Sequence, residues 1–165
     1  MSVVDRKNEG ITTREFVEKI FTFCGRPAYA AEAMDAAGKE GWIDAQQLAE
    51  AEEILTRRSA AMILHRFLKL VLGEKDEEDI SPAEKLKDLY DCRVCVGHIA
   101  QMYVKGVMEG IEFPAGAGRA GPTEGKSFWI FDGTGLVGRR DAERDIVRAL
   151  QRSERTDVKK ENKIF

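Results

Sequence analysis

The chain has 165 residues, 33% of them charged, with a formal net charge of -3. This balance lacks the basic surplus that non-specific nucleic-acid binding needs, so no nucleic-acid partner is expected. A hydrophobic fraction of 43% is sufficient for a folded core. No stretch reaches the roughly 18 consecutive apolar residues of a membrane helix, so membrane insertion is not expected either.

The first ten residues are polar and contain no apolar secretory segment. We therefore expect the chain either to stay in the cytoplasm or to be a fragment of a longer exported protein.

A helix-start pattern occurs three times along the chain, with Thr12, Thr56 and Gly138 at the N-cap positions. Counting from the fourth residue after each cap, apolar side chains recur at 0, +4, +7 and +8, which places them on one face of an α-helix. These residues are Phe16, Ile20, Phe23 and Cys24 in the first copy; Ala60, Leu64, Phe67 and Leu68 in the second; Ala142, Ile146, Ala149 and Leu150 in the third.

The three starts have a common physical basis. A threonine hydroxyl at the N-cap accepts a free backbone N–H of the first turn. Glu15 stands three residues after Thr12 and completes a capping box, whereas Ser59 and Asp141 give partial versions in the other copies. The residue before each cap is apolar and faces the residue four positions after the cap, which is the spacing of a hydrophobic staple.

A second kind of segment precedes the second and third starts. Residues 28–43 and 97–110 both read as helices that end at a glycine, Gly41 and Gly106, because glycine adopts the left-handed conformation without steric cost. Aligning these glycines pairs Trp42 with Val107. Each complete repeat is therefore expected to be a leading helix, a loop and a capped helix.

The sequence divides on this basis into four parts. Residues 1–25 form a truncated first repeat with its second helix only, residues 26–72 a second repeat, and residues 73–152 a third repeat. The third carries a Gly-, Ala- and Pro-rich insertion at 112–127, which is expected to be an irregular loop. Residues 153–165 form a charged tail, and Ser81-Pro-Ala-Glu84 predicts an extra short helix through about Tyr90.

The cysteines and histidines offer only weak chemical signals. Cys92 and Cys95 have metal or redox spacing, but zinc normally needs four ligands, so a pair of half-buried thiols at a helix start is the favoured state. His65 and His98 are the two histidines of the chain, and we interpret both as structural. No nucleophile–base pair is supported, and no cofactor or metal is expected.

An aromatic run, Phe128-Trp-Ile-Phe131, precedes the turn residues Asp132-Gly-Thr-Gly135. It is either a platform on which a sugar stacks or an apolar strand-like segment that seals the core. Phe131 is assigned to packing, and both interpretations remain open for Trp129.

The repeated order of parts resembles the S-layer homology family. The matching segments are Gly41-Trp-Ile43 with Leu55-Thr-Arg57, and Gly106-Val-Met-Glu-Gly110 with Phe131-Asp-Gly-Thr134 and Val137-Gly-Arg139; Ile11-Thr-Thr-Arg-Glu15 is similar to the second half of a further copy. The resemblance covers roughly residues 11–152.

The resemblance implies an all-α fold in which helix-loop-helix repeats pack as a pseudo-threefold bundle. It implies a non-catalytic module that binds secondary cell-wall polysaccharide, or a polymer linked to peptidoglycan, in grooves between repeats, outside the cell at the wall or S-layer. Arg57 and Arg139 match the family's ligand-binding arginine, and Glu15 and Asp141 its acidic position.

This chain departs from the family pattern in each copy, with Thr13 at the arginine position, Ser59 at the acidic position and Gly138 at the threonine position. One or two working grooves are therefore expected.

The sequence is also compatible with purely structural roles for the same side chains. Arg57 and Arg139 are either ligands of a sugar carboxylate or solvated first-turn residues. Glu15 and Asp141 either contact hydroxyls of the ligand or serve only in helix capping, which is enough to explain them. Two other functions stay open: a cytoplasmic helical scaffold that binds another protein, and a redox or zinc protein built on Cys92 and Cys95.

Overall fold

A computed structural model describes residues 9–26, 32–114 and 127–163, the last eleven of these by their backbone alone. The chain folds mainly into α-helices, as the periodicity predicts. The helices are α1 (Thr13–Phe23), α2 (Ala33–Glu40), α3 (Ala45–Ala49), α4 (Arg57–Leu70), α5 (Val96–Val104) and α6 (Arg139–Lys163). Two 3-10 helices span Ser81–Lys85 and Leu89–Asp91, and two strands, β1 and β2, span Ile111–Phe113 and Phe128–Ile130.

The three helix starts lie where the capping pattern predicts them. Thr12 caps α1 through a complete capping box: its hydroxyl accepts the Glu15 N–H at 3.1 Å, and its own N–H donates to Glu15 Oε1 at 3.3 Å. The Thr56 hydroxyl accepts the Ser59 N–H at 3.3 Å at the start of α4. Helix α6 begins directly after Gly138, where no hydroxyl is present.

The leading helices α2 and α5 end at the predicted glycines. Gly41 and Gly106 have φ values of 87° and 74°, a conformation that costs other residues a steric clash. The next residue of each segment, Trp42 or Val107, is completely buried. The Trp42 N–H donates to the Ala37 carbonyl at 3.2 Å, and the same bond joins Val107 to Met102 at 3.0 Å. The two segments therefore have the same backbone ending.

A closed ring of backbone hydrogen bonds joins the residues that precede the three caps. The Ile11 N–H donates to the Val137 carbonyl at 3.0 Å, Val137 to Leu55 at 2.9 Å, and Leu55 to Ile11 at 2.8 Å. All three side chains are at most 2% exposed. The ring satisfies these buried peptide groups without a continuous sheet.

The first amide of each capped helix extends the same pattern by one step. Thr13 donates to the Glu53 carbonyl at 3.1 Å, Arg57 to Gly135 at 2.8 Å, and Arg139 to Glu9 at 2.9 Å. Each helix start therefore lies against the segment that leads into another helix start. We refer to each of these junctions, between the first turn of one helix and the preceding loop of another, as a groove.

The hydrophobic core lies behind this ring. Trp42 is central to one part of it, with ring centroids 5.3 Å from Phe21 and 5.0 Å from Phe67. Phe131, 1% exposed, confirms its assignment to packing.

The expectation of an all-α fold is confirmed only in part, because the mainly helical chain also contains a small two-stranded sheet. β1 and β2 pair antiparallel, with Ile111 opposite Ile130 and Glu112 opposite Trp129. Five of the six strand residues are β-branched or aromatic, and such residues favour a pleated surface over a helix. Glu112 and Phe113 therefore belong to a strand and not to an irregular loop, while residues 115–126 of the insertion lie outside the described residues.

Two further local expectations need correction. The short helix expected after Ser81 is divided into the two 3-10 helices, because Leu86 takes an extended conformation with ψ 111° between them. Helix α3 was not foreseen, although Asp44 and Gln47 form a full capping box at its start. The backbone of the charged tail continues α6 as far as Lys163.

Cys92 and Cys95 are joined in a disulfide and are not the free thiols expected from the sequence. They flank a tight turn before α5 that brings their Cα atoms to 5.2 Å, a separation that suits the bond. Cys24 is the free cysteine of the described residues.

Candidate functional site: the grooves at the helix starts

Arg57 lies in the groove between the start of α4 and the loop that leads to α6. Its Nε donates to the Phe131 carbonyl at 2.9 Å and its Nη2 to the Glu109 carbonyl at 2.5 Å. The guanidinium also lies over the Phe131 ring, 4.7 Å from the centroid. Arg57 is therefore half-buried and fixed, which contradicts the interpretation of a freely solvated first-turn residue.

The charge of Arg57 is not cancelled by direct contact with an acid. Among the described residues, none of the salt bridges within 4.0 Å includes it. Burial lowers the pKa of its guanidinium, and the carboxylates of Asp145, Asp132 and Asp141 act in the opposite direction from a longer distance. The guanidinium remains charged because arginine does not lose its proton in proteins.

Asp145 is the buried carboxyl group behind this groove. It is 1% exposed, and burial raises its pKa to about 6 although Arg144 and Arg57 oppose that shift. Its hydrogen bond from Arg144 Nε is long, at 3.4 Å. A carboxyl group of this kind changes its charge near neutral pH and thereby changes the field at Arg57.

Asp141, predicted as a site residue, lies half-buried in the first turn of α6. Its Oδ1 is 3.3 Å from Arg144 Nη1, an ion pair one helical turn along the same helix. It is among the acids that act on Arg57. The structure therefore places Asp141, the acid three residues after the Gly138 cap position, near enough to Arg57 to act on its charge.

Arg139 occupies the corresponding position in the groove between the starts of α6 and α1. Its Nη1 lies 2.5 Å from Glu15 Oε2, and both side chains are about one-third exposed, at 38% and 33%. Burial raises the pKa of Glu15, but the hydrogen bonds from Arg139 and Thr12 outweigh that effect and lower it overall. Glu15 therefore both caps α1 and neutralises Arg139.

Trp129 lies on β2, away from the ring of backbone hydrogen bonds, and is half-buried. Its indole forms one wall of an open cleft of about 550 Å³ together with Tyr103 and Met108. Lys85 Nζ is 4.6 Å from the centroid of the Trp129 ring. The structure does not bring Trp129 into contact with Arg57, but Glu109 borders both, since its carbonyl binds Arg57 and it also lines the cleft.

The arginines that directly follow the candidate ligands are surface residues. Arg58 and Arg140 are both exposed. Arg14, which stands one residue late in the first copy, pairs with Glu52 at 2.5 Å. The corresponding groove position in that copy is Thr13, which is buried and carries no charge.

His65, which is buried, and His98, which is half-buried, form a pair between α4 and α5. Their Nδ1 atoms are 2.8 Å apart, and His65 Nε2 is 2.6 Å from Asp76 Oδ1. Because an ionised carboxylate only accepts, His65 Nε2 carries a proton, and in the neutral pair His98 Nδ1 donates to His65 Nδ1. Burial is the largest cause that lowers the pKa of both residues, that of His98 to about 4. The pair joins two helices and confirms the structural assignment.

Sequence reasoning missed several polar residues that matter in this structure. Asp145 occupies the +3 position of the capped-helix pattern, next to the apolar face, and that position would have signalled burial. Asp88 was not foreseen; its carboxylate accepts the N–H groups of Phe131 and Asp132, both at 2.7 Å. Lys105 and Glu74, a pair 3.1 Å apart, are both buried. Such long-range pairs have no spacing signal in one sequence.

The chain matches no model of a known protein family, and comparisons with curated proteins and with solved structures find no match. No helix in the described part of the chain is long and apolar enough to cross a bilayer. Within those same residues, no group of three or more His, Cys, Asp and Glu side chains is placed to hold a metal ion.

Proposed function

We propose that the chain is a non-catalytic module that binds an anionic polysaccharide of a bacterial cell wall and thereby holds an exported protein at the cell surface. The observation that carries this proposal is the state of Arg57. Its guanidinium is held between two chain segments by carbonyl groups, and its charge has no carboxylate in contact among the described residues. A fixed cation at a groove is suited to an anionic ligand.

The proposed architecture is three helix-loop-helix units around a pseudo-threefold axis, with the first unit represented by α1. The ring formed by Ile11, Leu55 and Val137 supports it, because each of the three donates to one of the others and accepts from the remaining one. The matching endings of α2 and α5 support the equivalence of the second and third units. Three grooves would result, of which two contain an arginine.

A carboxylate on a sugar, such as a ketal-linked pyruvate, is the ligand that fits Arg57 best. Two of the five guanidinium N–H groups are used by carbonyls, so donors remain for a carboxylate. The start of α4 adds the partial positive charge of a helix N-terminus. With a net charge of -3, the chain does not attract a polyanion through its overall field, so binding depends on directed contacts of this kind.

The acids of the grooves support a role in binding and not in hydrolysis. Glu15 and Asp141 are each paired with an arginine, at 2.5 Å and 3.3 Å. Burial raises the pKa of Glu15, but the hydrogen bonds from Arg139 and Thr12 lower it overall, and a lowered pKa disfavours a general acid. Asp145 has the raised pKa that such an acid needs, but it is 1% exposed and out of reach of a polymer.

Sedimentation with Gram-positive sacculi tests this proposal. The chain should co-sediment with sacculi that retain their secondary polysaccharide and stay in solution with sacculi stripped of that polymer by acid. Arg58→Ala and Arg140→Ala remove exposed arginines one position from the proposed ligands and should leave binding unchanged. A chain that ignores polymer-bearing walls from several species, including its own source, would contradict the anchoring function.

A cytoplasmic scaffold that binds another protein is the second candidate. Leu136 and Ile54 favour it, because these side chains are 64% and 41% exposed at positions directly before the ring residues. Exposed apolar side chains suit a protein partner. Loss of binding to a protein partner on Leu136→Ser, with wall binding absent in the parent chain, would favour this function.

A further inference from the structure

The two leading helices each border a cleft at the same place in their repeat, but the two clefts are lined differently. When Gly41 is aligned with Gly106, Ile43 corresponds to Met108 and Asp44 to Glu109. Ile43 and Asp44 line one cleft, and Met108 and Glu109 line the other. The cleft of the second repeat, about 340 Å³, is completed by Gly38 and Leu48. The cleft of the third, about 550 Å³, has Tyr103 and Trp129 instead.

The aromatic lining of the third cleft depends on features that the second repeat lacks. Tyr103 stands where the second repeat has Gly38, and β2 supplies Trp129. Gly110, which corresponds to Ala45, leaves room for the indole: a Cβ there would lie 2.9 Å from Leu86 Cδ2 and 3.3 Å from Trp129 Cε3. Sequence and backbone are therefore adapted together to place an aromatic ring at this cleft.

We propose that this cleft, lined by Tyr103, Glu109, Glu112 and Trp129, binds an uncharged pyranose unit of the same polysaccharide whose acidic unit binds Arg57. The inference rests on the proposed function. A pyranose presents an apolar face of C–H groups that stacks on an aromatic ring, and hydroxyls that donate to carboxylates and carbonyls. Trp129 and Tyr103 supply the rings, and the two glutamates supply the acceptors.

The charges of the cleft favour an uncharged unit over an acidic one. The Glu109 carboxylate is already paired with Arg148, at 3.0 Å. Glu112 and Lys85 then offset each other in formal charge, with Lys85 Nζ 4.6 Å from the Trp129 centroid and 5.3 Å from that of Tyr103. A contact of an exposed ammonium with a ring is weak, roughly 0.5–1 kcal/mol, so a stacked sugar can displace it.

The position of Glu109 determines how the two sites cooperate. Its carbonyl binds the Arg57 guanidinium at 2.5 Å, and the same residue lines the cleft. Glu109 therefore belongs to both the charged site and the aromatic site, and two adjoining sites suit neighbouring sugar units of one polysaccharide chain. Two linked contacts raise affinity for a polymer beyond that for a single acidic sugar.

Tryptophan fluorescence provides a direct test because Trp42 is completely buried and Trp129 is not. Titration with polysaccharide released from Gram-positive sacculi should shift the emission of the parent chain, and Trp129→Leu should abolish the shift. Tyr103→Leu should weaken binding about three- to tenfold. Leu48→Ala, at the aliphatic cleft of the second repeat, is the matched control and should bind like the parent.

The possible results separate the two proposals. If Arg57→Lys weakens polymer binding but Tyr103→Leu and Trp129→Leu bind like the parent, the aromatic subsite is wrong and the proposed function stands. If the parent does not bind the polymer, both fail. Unfolding midpoints measured for each variant exclude a folding defect, and Tyr103→Leu alone decides the question if Trp129→Leu does not fold.

Discussion

The grooves of Arg57 and Arg139 have the same position at a helix start and opposite electrostatic states. Arg57 is fixed by two carbonyl oxygens and faces its acids at longer distance, whereas Arg139 is held at 2.5 Å by Glu15. An incoming carboxylate needs only to displace solvent at Arg57, but it must compete with an existing ion pair at Arg139. The same residue type at equivalent positions can therefore have different affinity for an anion.

The largest expected effect separates these two arginines. Arg57→Lys keeps the charge but loses the planar fork, and a charge-assisted hydrogen bond contributes about 1.5–3 kcal/mol. We expect roughly ten- to a hundredfold weaker binding to polymer-bearing sacculi. Arg139→Lys should weaken binding only slightly because Glu15 already occupies that guanidinium. Equal losses for the two variants, measured by quantitative sedimentation, would show that the grooves do not differ.

The second prediction concerns Asp145, which occupies the position in α6 that the apolar Ile63 occupies in α4 when the two helix starts are aligned. The pKa of this carboxyl is about 6 in the folded chain against an ordinary 3.8. Because the folded value is raised, its contribution to stability is fully present below about pH 4 and is lost as pH rises through 6. Asp145→Asn should therefore be more stable than the parent at pH 8, on the order of 2 kcal/mol, and little different at pH 4.

The same group should make ligand binding depend on pH. Protonation below about pH 6 removes a negative charge that acts on Arg57, so an anionic ligand should bind more tightly at pH 5 than at pH 8. A sugar carboxylate stays ionised across that range. The pH dependence should be lost in Asp145→Asn. If that variant keeps the full pH dependence of the parent, another group controls the Arg57 groove.

The third prediction concerns the stability of the folded chain at acid pH. His65 stands in α4 where Phe21 stands in α1, and its partner His98 has a pKa lowered to about 4. A lowered histidine pKa contributes stability that is present above about pH 6.5 and is lost as pH falls toward 4. The parent should lose on the order of 1–2 kcal/mol of unfolding free energy across this window.

His98→Gln removes one titrating ring and leaves a side chain that can donate to His65 Nδ1. The acid loss of stability should shrink in this variant, as measured by denaturant unfolding at several pH values. The pH dependence of polymer binding should be unchanged, because the histidines lie between α4 and α5 and not at Arg57. An unchanged acid loss in His98→Gln would assign the pH effect to another group.

The sequence predicted the features of the two arginine grooves that depend on nearby residues, but not those that depend on residues far apart in the chain. Thr12 and Glu15 were predicted as a capping box, and Gly41 and Gly106 as helix ends, since these depend on neighbours within four residues. The capped-helix starts also placed Arg57 and Arg139 at equivalent positions. The contacts that distinguish them were not predictable, because the Arg57–Glu109 bond and the Arg139–Glu15 pair join residues 52 and more than a hundred positions apart.

The strand pairing across the insertion and the disulfide are two further features that the sequence did not predict. The strand that contains Trp129 pairs with Ile111–Phe113 across the Gly-rich segment, and no local pattern identifies that partner. Cys92 and Cys95 are close in sequence, yet the choice between thiols and a disulfide depends on the turn that brings their Cα atoms to 5.2 Å. Prediction therefore failed for the strand partner because the tertiary fold determines it, and for the cysteines because the geometry of one local turn determines their state.

The smallest expected effect is that of Glu15→Gln, which tests whether the Glu15 carboxylate prevents Arg139 from binding a ligand. Glu15→Gln keeps a side chain that can accept the Thr12 N–H in a capping box, so stability should fall by less than about 1 kcal/mol. The variant removes the charge that holds Arg139 at 2.5 Å and frees its fork for a ligand. We expect polymer binding to strengthen about two- to threefold, because a partly exposed ion pair is worth at most about 1 kcal/mol.

Glu143→Gln is the matched control for this last variant. It makes the same change in net charge on α6, and the ion-pair partner of Glu143 is Lys19, at 2.8 Å, and not Arg139. If both variants strengthen binding equally, the gain comes from reduced repulsion of the polyanion and not from release of Arg139. If only Glu15→Gln strengthens binding, and Arg139→Lys added to it removes the gain, then the difference between the two grooves is due to the single carboxylate of Glu15.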